Sequence, residues 1–299
     1  MWAYTVHYCL VCSLILKSLS LSYCENYKVG YLMTVDLDVL TEIVVSAAKQ
    51  ELMPAFGRER GELKKDGSIV TKADLAMNQH LRLMLHKHWP QIGFLSEEMP
   101  HSEQEALLGS RNRSFWILDP LDGTTNFAAG IPFFAVSLAL YKDEAIQLGI
   151  VYDPVRGECF CAQAGQSSQY NGKPIKVSIS ISELSRGVGI IDMKRLTKPL
   201  ATKIAVQPPY TSQRSFGSVA LDWCWLAMGR GHVYLHGKQK IWDYAAGQLI
   251  LAQAGGKACT LEGEPIMTSL MTPRSAVAAS TSLLHKQWCE WLGVVPHTE

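Results

Sequence analysis

Trp116-Ile117-Leu118-Asp119-Pro120-Leu121-Asp122-Gly123-Thr124-Thr125-Asn126-Phe127 is the stretch that decides how this 299-residue chain folds. The apolar run from Phe115 to Leu118 reads as a buried strand that passes straight into two carboxylates. Pro120 stiffens the turn between them, Gly123 permits close backbone approach, and Thr124 is placed to begin a helix with free N–H groups aimed at an anion. Carboxylates beside an anion-binding turn repel the anion unless a cation lies between them. Hard oxygen donors of this kind suit Mg2+, which also binds substrate phosphate. Taken alone, Asp-Pro-x-Asp-Gly is equally an ordinary turn, so the choice rests on the company it keeps.

That company is acidic. A second apolar run, Ile92 to Leu95, leads to Glu97 and Glu98, and Gly67 to Asp74 leads into a helix carrying Leu81, Met84 and Leu85. Trp242-Asp243-Tyr244-Ala245-Ala246-Gly247 puts another carboxylate in the first turn of a helix that Gly255-Gly256 ends. Each has a plain structural reading: a solvated strand end for the glutamates, helix caps for Asp74 and Asp243. Phe133 to Tyr141 and Ile146 to Tyr152 flank Lys142-Asp143-Glu144 as a hairpin, and Gly157 to Ala162 adds an antiparallel strand. Beyond a turn-rich stretch at 178–186, Gly187 to Ile191, His232 to His236 and Ala276 to Ala279 read as strands. Ser218 to Met228 and Leu283 to Leu292 read as helices.

With 28 Lys plus Arg against 27 Asp plus Glu, the chain lacks the cationic excess that extended nucleic-acid binding requires. Apolar residues make up 47% of it, which excludes disorder for the bulk. The charged fraction, 18%, lies below the roughly 25% usual in soluble domains, which predicts apolar surface covered by a second subunit. Eight cysteines form no disulfide framework, so a reduced compartment is expected. Cys9 and Cys12 make a CxxC that no second zinc-type pair follows. Residues 1–32 meet neither the pattern of a secretory signal nor that of a spanning helix. Helical periodicity begins only after Met33, behind Asp36 and Asp38, so 1–32 are expected to stand outside the fold, with a weak anchor as the rival reading.

In this order and at about these separations, Gly67 to Asp74, Phe94 to Glu98, Trp116 to Phe127 and Trp242 to Gly247 resemble the inositol monophosphatase family of Mg2+-dependent, lithium-sensitive phosphatases, over essentially Met33 to Gly293. The resemblance implies an α/β (α+β) fold, a layered αβαβα sandwich of the inositol monophosphatase and fructose-1,6-bisphosphatase type. Residues 33–185 would form an N-terminal half carrying the metal motif, and 186–299 a C-terminal half completing the site. A cytoplasmic homodimer acting on a small phosphorylated metabolite is expected, with no membrane association. Two or three Mg2+ ions would be held by Glu97, Asp119, Asp122, the Leu121 carbonyl and Asp243, with Asp74 near a weaker site. Gly123 and Thr124 would present N–H groups to the phosphate, and Glu97 with the Thr124 hydroxyl would orient an attacking water activated by metal; Asp119 shares the catalytic role.

For the substrate beyond its phosphate, the resemblance points to Gly217, Ser218 and Val219 within Arg214 to Ala220. Ser218 is equally a helix cap. Seven positions before Asp243, where inositol phosphatases of the family carry a glutamate, this chain has His236, which either contacts substrate or simply ends a strand. Inositol 1-phosphate is the expected type of substrate. 3′-Phosphoadenosine 5′-phosphate, fructose 1,6-bisphosphate and histidinol phosphate remain open, as does a regulatory binding role in transcription complexes.

Overall fold

The computed structural model describes residues 35–64, 67, 69–108, 114–175, 181–267 and 272–297. The segment 1–32 with its CxxC, Ser68, and residues 178–180 of the turn-rich stretch lie outside the described residues. The chain divides into one unit of residues 1–40 and a second of 41–299. In the first, Asp36 Oδ1 accepts from the N–H groups of Asp38 and Val39 at 2.9 and 3.2 Å, which caps helix α1 (Leu37–Glu51).

In the second unit the rest of α1 is followed by a short hairpin, β1 (Glu62–Leu63) and β2 (Ile69–Val70), and by helix α2 (Lys72–His88). There follow β3 (Gly93–Ser96), α3 (His101–Leu108), β4 (Ser114–Asp122), α4 (Thr124–Ala128), β5 (Ala135–Lys142), β6 (Ala145–Asp153), β7 (Glu158–Gln163), β8 (Gln169–Tyr170) and β9 (Lys173–Pro174). Strands β3 to β9 form one seven-stranded sheet in chain order. Its first pair is parallel and the others are antiparallel. Then come β10 (Val188–Asp192), α5 (Lys198–Val206), β11 (Ser212–Arg214), α6 (Val219–Ala227), β12 (Val233–Gln239), α7 (Ile241–Gln253), β13 (Lys257–Cys259), β14 (Arg274–Ala279) and α8 (Ser282–Leu292). The second sheet has the order β11-β10-β12-β14-β13.

Strand periodicity sets the layers. Phe115 and Ile117 of β4 belong to a core shared with α6 and α7, while the Trp116 ring between them lies 5.5 Å from Trp89, at the end of α2. In the second sheet Tyr234 faces α6 and α7, and its neighbours Val233 and Leu235 face α8. The second unit is thus a helix–sheet–helix–sheet–helix stack, with α6 and α7 as its middle layer. A helix between two sheets must be apolar all round, and α7 buries Ile241, Trp242, Tyr244, Leu249, Ile250 and Leu251 on several faces. Each such side chain contributes about 1.5–3 kcal/mol on leaving water. The β1–β2 hairpin, α3, α5 and β11 are elements that the apolar pattern did not announce, being short or largely exposed. No helix among the described residues is long and apolar enough to cross a membrane.

Candidate active site

Asp119 and Asp122 are an odd number of residues apart, so on a regular strand they would point to opposite faces. In β4 they do not. Asp119 pairs with Ser137 and Asp122 with Ala135, a register shift in which three steps on one strand match two on the other. Pro120, which has no N–H to give to a ladder, sits inside this bulge, and the extra residue brings both carboxylates to one side. Gly123 then turns the chain with φ 92°. A Cβ there would lie 3.1 Å from the Phe133 carbonyl and 3.3 Å from that of Gly217, so at this positive φ a side chain would be both strained and crowded. Helix α4 starts at Thr124, whose hydroxyl lies 2.9 Å from the Leu121 carbonyl and 3.1 Å from Asp74 Oδ1.

Other elements converge on this turn. The N–H of Glu97 donates to the Leu118 carbonyl at 3.1 Å, which continues the β3–β4 pairing up to the acidic end of β4. Lys64, beyond β1, approaches Glu97 at 3.4 Å and Glu98 at 2.6 Å. Asp243, in the first turn of α7, accepts from the Lys240 N–H at 2.8 Å. Asp74 closes a capping box with Thr71, so its plain structural role is real even as its other oxygen meets Thr124. Ser218 likewise caps α6, and its one hydroxyl proton goes to Asp122 Oδ2 at 2.5 Å. It therefore positions an acid instead of facing outward as a donor.

The result is a cavity of about 610 Å³. Glu97, Asp119, Leu121, Asp122, Thr124 and Asp243 line it, with Gly123, Gly217, Ser218 and Val219. Asp74 sits behind Thr124, and His236 is not on the wall. His236 is 1% exposed, its Nδ1 accepts from the Lys238 N–H, and its Nε2 lies 3.2 Å from Asp192 Oδ2 without hydrogen-bond alignment. Asp192 is the residue that lines the cavity there. The strand preceding it, like those before Glu97 and Asp119, is an apolar run ending in an acid, so the signal was present. Asp222, a buried wall residue with an unpartnered oxygen, is hidden inside the apolar pattern of α6 and carried no such signal. Lys194, Arg195, Lys238 and Lys240 form a basic margin.

Electrostatically the acids are frustrated. Burial raises the Asp119 carboxyl well above its ordinary range, and Glu97, Asp122 and Asp243 push it further. Burial together with Asp122 and Glu97 brings Asp243 to about 8. Burial takes Asp122 to about 6 against the Ser218 and Ala220 hydrogen bonds that favour its ionised form, and Asp74 to about 6 against those of Thr71. Buried carboxylates that repel one another this strongly call for a cation. The donor set, carboxylate and carbonyl oxygen with no sulfur or imidazole, fits a hard divalent ion.

Fold and cleft together define a layered α/β protein with an acidic, cation-demanding centre at the end of β4. A model of the inositol monophosphatase family matches residues 33–293, and the chain belongs to that family. It is 31% identical over 255 residues to Nus factor SuhB of Pasteurella multocida, covering 82% of this chain and 92% of that one. It is 34% identical over 231 residues to inositol monophosphatase 1 of Solanum lycopersicum, covering 74% and 84%. The crystal structure of extragenic suppressor protein suhB from Bartonella henselae aligns with a TM-score of 0.75 at 30% identity, over 86% of this chain and 97% of that one.

Proposed function

We propose that this protein is a Mg2+-dependent phosphomonoesterase for a small phosphorylated polyol of the inositol 1-phosphate type. The observation that carries the reading is the bulge in β4, which turns Asp119 and Asp122 to one side beside Glu97 and Asp243. Glu97, Asp119, Asp122, Asp243 and the Leu121 carbonyl would hold two Mg2+ ions, with Asp74 near a third. When bound, the metal makes water acidic enough to react near neutral pH and offsets charge on the phosphate oxygens.

The chain's own groups do the positioning. Thr124 gives its hydroxyl proton to Asp74 or the Leu121 carbonyl, which turns a lone pair toward an incoming water. Glu97 accepts the second hydrogen of that water. In the proposed reaction a P–O bond forms to the water oxygen, the ester P–O bond breaks, and the leaving alkoxide gains a proton. The N–H groups of Gly123 and Thr124 would hold phosphate oxygens. Lys194, Arg195, Lys238 and Lys240 draw the anion to the cleft. Where relatives use a glutamate for the polyol hydroxyls, Asp192, backed by His236, supplies the acceptor.

Phosphate release with Mg2+, measured over inositol phosphates, other polyol phosphates, 3′-phosphoadenosine 5′-phosphate and fructose 1,6-bisphosphate with and without Li+, tests this. The highest kcat/KM is expected on an inositol monophosphate, with inhibition by Li+. A preference for either bisphosphorylated compound would move the assignment to that substrate. A second reading, a transcriptional role, is favoured by the similarity to proteins named Nus factor SuhB. It predicts that Asp119→Asn retains the cellular phenotype while losing phosphate release.

A further inference from the structure

On the face of the second sheet away from α6 and α7, a second group of ligand-type side chains converges, and none of them is acidic. Cys259 ends β13, paired with Val277 of β14. Helix α8 crosses these strands and presents His285 and Cys289, four residues apart and hence on one side of the helix. Cys259 Sγ lies 3.6 Å from His285 Nε2 and 3.9 Å from Cys289 Sγ, and Cys289 Sγ lies 3.6 Å from the same Nε2. All three residues are buried.

We infer that Cys259, His285 and Cys289 bind a thiophilic divalent ion of the Zn2+ class. The distances carry the inference. Tetrahedral Zn2+ with bonds of about 2.3 Å to sulfur and about 2.0–2.1 Å to nitrogen places two sulfurs about 3.8 Å apart and sulfur about 3.5 Å from nitrogen. The three side chains already stand at that spacing, so an ion enters without rearranging the backbone. His285 Nε2 also lies 3.2 Å from the Val277 carbonyl, to which it donates when it carries the proton. In the other tautomer its lone pair is free for the ion.

The C-terminal segment is tied by its backbone to both ligand-bearing elements. After α8 the Val294 N–H donates to the Cys289 carbonyl at 2.9 Å, and the His297 N–H donates to the Gly263 carbonyl at 2.7 Å. Gly263 has φ 84°, and a Cβ on it would strike the Val295 carbonyl at 2.1 Å, so the segment lies directly on the turn that follows Cys259. Binding would form two thiolate bonds and one imidazole bond, any remaining thiol protons passing to solvent, with no change of oxidation state. Sulfur and nitrogen donors here and oxygen donors in the acidic cleft separate the two metals by ligand softness. The ion would clamp β13 and α8 together.

Co2+ titration of the reduced full chain tests this without relying on activity. One equivalent of Co2+ should raise an intense near-ultraviolet thiolate-to-cobalt charge-transfer band, which Zn2+ then abolishes. The all-oxygen cleft cannot produce such a band, so Asp119→Asn should retain it and Cys259→Ser should lose it. His285→Ala should weaken Zn2+ binding by about tenfold or more; unchanged affinity would overturn the site. Should the serine variant not fold, the wild-type protein decides alone. No band in reduced protein, or a Cys259–Cys289 disulfide by intact mass in metal-free protein as isolated, overturns the site.

Discussion

The Ser218 hydroxyl and the Asp122 carboxylate, 96 residues apart in the chain, meet at 2.5 Å, and the Ala220 N–H donates to the same carboxylate oxygen at 2.7 Å. The start of α6 is therefore what orients the acid at the end of β4. Ser218→Ala removes both a helix cap and an outer-shell donor. It should cost about 1–2 kcal/mol in stability by denaturant titration and raise the Mg2+ concentration for half-maximal phosphate release by about 10–100-fold.

Crowding of the acids has a consequence for the metal-free protein. Asp243 at about 8 and Asp122 at about 6 both lie above the unfolded value of 3.8, so the folded chain binds more protons than the unfolded one between these limits. In chelator, stability should fall as pH rises from about 4 to 8. Mg2+ should remove that slope, and Asp243→Asn should flatten it. Melting temperatures across pH, with and without chelator, measure this; stability rising with pH in chelator would contradict it.

Glu158 behaves in the opposite sense. Burial alone would raise its carboxyl, but Arg230, bound through two contacts of 2.7 Å, outweighs burial and holds it below the ordinary value of 4.5. A lowered native pKa gives stability that is present above about 4.5 and lost as pH falls below it. Glu158→Gln should therefore cost about 1 kcal/mol at pH 7, a figure discounted for the partial exposure of Arg230. At pH 3 it should cost almost nothing. Equal losses at both values would show packing, not charge, at work.

Asp192 tests the substrate side of the cleft. Its neighbours His236 and Arg195 hold its carboxylate ionised, overcoming burial. If it accepts hydrogen bonds from the polyol, Asp192→Asn should raise KM by about tenfold and change kcat by less than about threefold. A fall in kcat at constant KM would place Asp192 in the chemistry instead.

Much of this is legible in the sequence alone. The run from Trp116 to Leu118, Pro120 and Gly123 indicated a buried strand broken by a turn, and the ligand candidates Glu97, Asp119, Asp122 and Asp243 all reach one cavity. What the pattern could not convey is parity: nothing local says that the strand bulges, and without the bulge Asp119 and Asp122 would face apart. Ser218 left cap and contact equally open, and only the tertiary approach of α6 to β4 shows that it performs the cap while holding an acid. His236 drew attention because it departs from the family, whereas Asp192, its partner across the parallel β10–β12 pair, is the one at the cavity. Cys259 lies 26 residues from His285, so their meeting depends on how α8 packs, which spacing does not reveal.

The most direct measurement of the central claim is inorganic phosphate released from inositol 1-phosphate by the purified full chain, with Mg2+ and then with chelator, beside Asp119→Asn. The acidic cleft predicts Mg2+-dependent release that chelator stops and that the folded Asp119→Asn variant lacks. Release that persists in that variant, or in chelator, would contradict it.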